Sequence, residues 1–342
     1  MQFHYTPPQT ELEKMLGGYF CINAIGKIRP GDDQSFKLFL KSAEPPPRCV
    51  VYIDSSGGDV DAAIGIGRLI RSSWFATDVG QYQLDFQSQN SMPLMHRKKL
   101  PGQCLSAATL MFLGGRLRYF DDRSEFGVHQ FDFPQAQGEE VPRNYLAQSQ
   151  TLSAKMFEYI DDMGISPQFL LLSAATPSDQ MRLVRCEDLE RIGVVTGGQT
   201  DVNWSIEGKN GLSYVKGERD SLYGHHKVML GFNNEVGFVF WAVIETQGRA
   251  GELLGFSLVE VVLNGESKRL DISSRVERKE EGIYTNILAR ISEGEAKQIA
   301  FSDSFGVQIR FSSEASMFLG IAAMDTRDGQ EKLRTFFTNH KK

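Results

Sequence analysis

Val50-Val51-Tyr52-Ile53-Asp54-Ser55-Ser56-Gly57-Gly58-Asp59-Val60 runs from a buried-strand pattern into two adjacent glycines, and an apolar-periodic segment starts directly afterwards at Asp61. Strand, glycine turn and helix in this order leave backbone N–H groups unpaired at the junction, and glycines without Cβ atoms let a carbonyl oxygen come close. Such a turn can act as an oxyanion hole. Alone, Gly-Gly after a strand is more often only a tight turn, so the flanking sequence decides its meaning.

Downstream, Ala62, Ala63, Ile66, Leu69 and Ile70 recur at helical spacing, which predicts a helix over 61–72 with one face on a sheet. Short apolar runs at 19–25, 50–53, 76–79, 117–120, 126–129 and 194–196 alternate with helical patterns and predict parallel strands joined by crossover helices. Further helices are expected near Ser106, over Leu152, Met156, Ile160 and Met163 up to Gly164, and after Ser166-Pro167 as cap and first position. Beyond Gly197-Gly198 the pattern changes to alternating strands at 212–215, 228–232, 236–244, 256–263 and 307–311, closed by a helix over 328–338. The expected organisation is an N-terminal lead (1–18), an α/β domain (19–198) interrupted by a polar loop inserted at 81–103, and a β-rich domain (199–342).

With 342 residues the chain exceeds one ordinary core, and 41% hydrophobic content suffices to fill two. A formal net charge of −6 argues against a general nucleic-acid surface, which needs clustered Lys and Arg. The only basic run is His96-Arg97-Lys98-Lys99. Cys21, Cys49, Cys104 and Cys186 are widely spaced and contain no C-x-x-C, which indicates neither a disulfide scaffold nor a zinc site. No stretch of 18 apolar residues occurs, so no membrane association is expected; a cytoplasmic setting is favoured, or a periplasmic one if a signal peptide has been removed.

Ser106 follows Gly102-Gln103-Cys104-Leu105 at an abrupt passage from loop into a small-residue helix. A serine there commonly caps the helix, and it becomes a nucleophile only beside a base. His129 closes the strand pattern Phe126-Gly127-Val128, where an imidazole faces the region beyond the strand tips. Asp179 could orient that imidazole, although an isolated aspartate is usually a cap or turn residue. Asp121, Asp122, Asp161 and Asp162 compete for the same role. Cys104 is a weaker candidate nucleophile. Asp325-x-x-Asp328-Gly329 and His225-His226 lack the partners that a metal site would need.

The order of glycine turn, helix, loop, Gly102-Gln103 with Ser106, and then His129-Gln130 resembles the Clp protease proteolytic subunit family. Ser106 and His129 are 23 residues apart, His129 and Asp179 50. The resemblance covers 19–195 and implies a ClpP/crotonase-like α/β core, a Ser106–His129–Asp179 triad, oxyanion donors at Gly58 and Ala107, and peptide binding along Gly57 and Gly58. It further implies a serine peptidase with a peptide or protein substrate, no cofactor and self-association into a homo-oligomer. Three departures stand out: Ser56 replaces the family proline, the 81–103 insertion has no counterpart, and the β-rich half lies outside the protease, so no unfoldase partner is assumed. Two alternatives are a noncatalytic scaffold or protein-binding subunit, and a crotonase-like acyl-CoA enzyme, for which no glutamate pair flanks the glycine turns.

Overall fold

The structure, a computed structural model, describes residues 1–86, 94–130, 145–209 and 211–341. Contacts divide the chain into two compact units, Met1–Gly197 and Gly198–Lys342.

The first unit comprises β1 (Gln2–Thr6), α1 (Glu11–Leu16), β2 (Cys21–Ile25), α2 (Asp32–Ala43), β3 (Val50–Asp54), α3 (Val60–Ser72), β4 (Ala76–Val79), β5 (Gln81–Leu84), β6 (Arg97–Leu100), β7 (Gln103–Leu105), α4 (Ala108–Leu113), β8 (Arg118–Tyr119), β9 (Glu125–Val128), α5 (Tyr145–Asp162), α6 (Gln168–Ala174), β10 (Arg182–Leu183) and α7 (Cys186–Arg191). Its main sheet has the order β1-β2-β3-β4-β8, parallel except at the β1–β2 edge, and a second sheet has the order β10-β9-β7. The apolar runs of β2 and β3 place Ile22, Val51 and Ile53 in one core with Ile66 and Ile70 of α3 and Leu110, Met111 and Phe112 of α4. The Asp59 carboxylate caps α3 by accepting from the Ala62 N–H at 2.8 Å, so the helix starts directly behind the glycine turn.

The second unit comprises β11 (Asn203–Lys209), β12 (Leu212–Ser221), β13 (Gly224–Asn233), β14 (Gly237–Glu245), α8 (Ala250–Gly255), β15 (Leu258–Leu263), β16 (Lys268–Asp271), β17 (Val276–Glu281), β18 (Tyr284–Arg290), α9 (Glu293–Ala300), β19 (Ser304–Arg310), β20 (Leu319–Asp325) and α10 (Gln330–His340). Antiparallel sheets of order β11-β12-β13-β14-β18-β17 and β16-β15-β19-β20 share a core that includes Val228, Leu230, Phe240, Val261 and Val307. Period-2 alternation brings Val228, Leu230 and Phe240 to one face of the first sheet and Val261 and Val307 to one face of the second.

The expected α/β class with a ClpP/crotonase-like core is overturned. Among the described residues the fold is mixed, 37% strand and 29% helix, with several antiparallel sheets, one of them six-stranded. Even in the first unit β1, β5, β6 and β10 enter antiparallel pairings. These strands are short and partly exposed, so they offer no buried apolar run for the sequence pattern to reveal.

Three further expectations change. Residues 194–196 form no strand: Val194 and Val195 are buried as irregular chain, and the Thr196 N–H bonds the Arg118 carbonyl at 3.0 Å. Gln2–Thr6, expected as a lead, forms β1. The polar 81–103 segment contains the β5–β6 hairpin, and its residues 87–93 lie outside the described residues.

Charge fixes that hairpin. Arg97 forms a two-pronged pair with the fully buried Glu13 of α1, at 2.8 and 2.9 Å, while Lys99 bonds Asp78 at 2.7 Å and Asp121 at 2.9 Å. The basic run is therefore partly spent inside the fold. Among the described residues, no helix is long and apolar enough to cross a membrane.

Candidate active site

Two parallel strands bring Ser106 and His129 together. β7 pairs with β9 so that Leu105 stands opposite Gly127, and the Ser106 N–H bonds the Gly127 carbonyl at 2.9 Å. Both chains leave their strands at the same end, and His129 Nε2 lies 2.7 Å from Ser106 Oγ. Beyond the histidine, the Gln130 N–H donates to the Thr176 carbonyl and Gln130 Nε2 to the Ala174 carbonyl, both at 2.8 Å, which ties this segment to the end of α6. Ser106 itself has φ +55°, a left-handed conformation that non-glycine residues adopt only when the surroundings impose it. Its turn joins β7 to α4 and lifts the hydroxyl out of the strand.

The glycine turn lies against this serine. Ser55 is laced to β7 by its N–H to the Gln103 carbonyl at 2.6 Å and by the Leu105 N–H to the Ser55 carbonyl at 3.0 Å. At Gly57, φ is +91° and a Cβ would stand 2.8 Å from Ser106 Cβ and 2.6 Å from the Leu105 oxygen. At Gly58, φ is +140° and a Cβ would stand 2.1 Å from the Ile28 oxygen. Gly57→Ala therefore adds both backbone strain and a clash that two backbones must relieve. We expect it to lower stability by about 1–3 kcal/mol from the strain alone, read by chemical denaturation; an unchanged midpoint would contradict this packing.

The Gly57 backbone, expected to bind peptide, has partners within the fold. Its N–H donates to Ser55 Oγ at 3.1 Å and its carbonyl accepts from the Ile28 N–H at 2.9 Å. Its contribution is close approach. Among the described residues, the N–H groups of Gly58 and Ala107 donate to no partner, and Gly58 is exposed.

Asp179 is not brought to the pair. It occupies an exposed turn after α6 and forms no hydrogen bond or ion pair among the described residues. The competing aspartates face other partners: Asp121 faces Lys99 and Arg123, Asp122 accepts from the Cys186 N–H at 2.9 Å, and Asp162 pairs with Arg68 at 2.6 Å. Asp161 is exposed. The Arg123 guanidinium and then Lys99 hold the Asp121 carboxyl far below the usual range.

No family model and no curated protein matches this chain.

Cys104 is fully buried, and desolvation pushes its thiol well above the ordinary range, so it stays protonated. Iodoacetamide is expected to leave Cys104 unmodified in the native protein and to modify it after denaturation; rapid native alkylation, located by peptide mass, would contradict this burial. His225 Nδ1 meets the Tyr284 hydroxyl at 3.2 Å, Asp325 pairs with Arg327 at 3.2 Å, and no group of three metal-ligating side chains occurs among the described residues.

Sequence reasoning missed Asp54 and Ile28. Asp54 accepts from the Gln103 N–H at 3.1 Å and from Gln81 Nε2 at 2.6 Å, which anchors the start of the serine-bearing strand. Ile28 clamps the glycine turn on its other side through the Asp59 N–H to Ile28 carbonyl bond at 3.2 Å. Neither position carries a motif, because one contact uses only backbone and the other joins segments distant in sequence.

Proposed function

We propose that this chain is a serine hydrolase that cleaves peptide bonds by acyl transfer. The observation that carries the reading is the 2.7 Å approach of the imidazole to a hydroxyl held on a left-handed turn. In the proposed reaction, Ser106 Oγ attacks the substrate carbonyl carbon and its proton passes to His129 Nε2. The tetrahedral oxyanion accepts from the Gly58 and Ala107 N–H groups. On collapse the C–N bond breaks, the leaving amine takes the proton from His129, and an acyl-serine remains. Water then attacks this ester, with His129 again receiving the proton and returning it to Ser106. Loss of one oxyanion donor typically costs about 10²–10³ in turnover.

The spacing of Gly57-Gly58, Ser106 and His129, which underlies the likeness to Clp proteolytic subunits, supports this chemistry and not a shared fold class. Asp179 has no part in the proposed reaction as it stands. Its exposed position is the observation that favours the second reading, a noncatalytic protein-binding subunit. Four free cysteines are compatible with a reducing compartment such as the cytoplasm, and self-association belongs to the same proposal, testable by sedimentation velocity.

An activated p-nitrophenyl ester separates the two readings. The hydrolase reading expects a burst of p-nitrophenolate approaching one equivalent per chain and an acyl mass on the peptide containing Ser106. Absence of both from folded protein would favour the binding reading.

A further inference from the structure

In the second unit, a cleft of about 590 Å³ opens where the ends of β12 and β14 and the start of β13 meet β20 and α8. Its size falls within the range of small-molecule sites, roughly 300–1,000 Å³. A polar row crosses the sheet here: Arg219 stands opposite His226, and His226 opposite Ile244. By strand alternation this row shares the face of Val215, Val228 and Ala242, which belong to the core. An arginine on that face needs an explanation, because burying a guanidinium without an anion is costly.

Arg219 donates from Nη2 to the Ala322 carbonyl at 3.1 Å, while its Nε is buried with no hydrogen-bond partner. Among the described residues it has no carboxylate in ion-pair range. Burial pushes its pKa down, as expected for a cation whose charge is not neutralised nearby. Two of the other charged side chains at the cleft are ion-paired, and a third accepts a backbone hydrogen bond. Arg249 donates from Nε and Nη2 to the Glu252 carboxylate at 2.8 and 2.7 Å, Glu266 pairs with Arg269 at 3.0 Å, and Glu245 accepts from the His225 N–H at 2.8 Å. Apolar side chains, Ile244, Leu253 and Leu319 among them, line the remainder.

We propose that this cleft binds a small organic carboxylate with an apolar body, its two oxygens accepting hydrogen bonds from the Arg219 guanidinium. A planar guanidinium matches a carboxylate in geometry. One uncommitted cation beside two glutamates suits a singly charged head better than a phosphate dianion. The carboxylate could come from a free acid or from a peptide C-terminus. This cleft is lined by residues of the second unit alone, and its role does not depend on hydrolysis.

Isothermal titration calorimetry on the full chain tests the proposal with 4-phenylbutyrate, octanoate and a tripeptide ending in phenylalanine, each against its amide. At least one acid is expected to bind about tenfold to a hundredfold more tightly than its amide, and Arg219→Gln is expected to remove that advantage. Binding of the tripeptide alone would identify a chain terminus as the source; binding of the free acids, a metabolite-like ligand. Leu319→Trp, which fills the cleft and keeps Arg219, is expected to abolish binding with the thermal transition retained. Acids that bind no better than their amides, or undiminished binding by folded Arg219→Gln or Leu319→Trp, would overturn the proposal, and the acid–amide comparison stands even if a variant does not fold.

Discussion

Ser106→Ala is expected to lower kcat/KM for a cleaved peptide by about 10⁴–10⁶, and His129→Ala by a similar factor, with the double variant little worse than either single one. Non-additivity is the informative part. A hydroxyl and an imidazole 2.7 Å apart form one proton-transfer unit, so deleting either disables both. Independent losses that multiply in the double variant would mean that the contact is not used in the reaction. Thermal unfolding of all three variants should stay close to wild type, since both side chains are only partly buried and neither fills the core.

Glu13→Ala is the largest stability effect we expect, about 3–5 kcal/mol. The side chains of Glu13 and Arg97 are 0% and 4% exposed, so the substitution leaves a guanidinium buried without its carboxylate. It also removes the acceptor for the Gln9 and Met95 N–H groups. A further change of Arg97 to Met in the same chain should recover much of the loss, because an apolar pair of similar volume avoids the stranded charge. Recovery measured by urea denaturation supports this; a Glu13→Ala midpoint equal to wild type contradicts it.

The same pair gives a pH dependence. Arg97 hydrogen bonds, acting first among several causes, lower the folded Glu13 pKa from 4.5 to about 2. A depressed folded value means that the stabilisation is present above about pH 4.5 and is lost as pH falls from there toward about 2. Glu13→Ala should flatten the acid limb of stability in this window.

The Ser106–His129 meeting was legible because each residue sits just past a short strand, and the two strands pair in parallel with matched ends. The glycine turn was legible for a similar local reason, a strand run stopping at two residues that lack Cβ atoms. What failed depended on distant partners. The β5–β6 hairpin reads as a polar loop until Glu13, Asp78 and Asp121 are seen to neutralise Arg97 and Lys99. The run at 194–196 is buried like a strand, yet burial does not dictate a ladder. Strand direction, which decides between α/β and a mixed class, has no signature in a four-residue edge strand. The resemblance points to Asp179 through its place after a long helix, and order along the chain does not determine where a turn projects a side chain.

A fluorophosphonate probe tests the central claim most directly, because it reacts only with a hydroxyl that a neighbouring base has made nucleophilic. Folded wild-type protein should gain one phosphonyl mass on the peptide carrying Ser106, and His129→Ala should gain none while unfolding at the wild-type temperature. Unlabelled wild-type protein, or label retained by Ser106→Ala, would contradict the account.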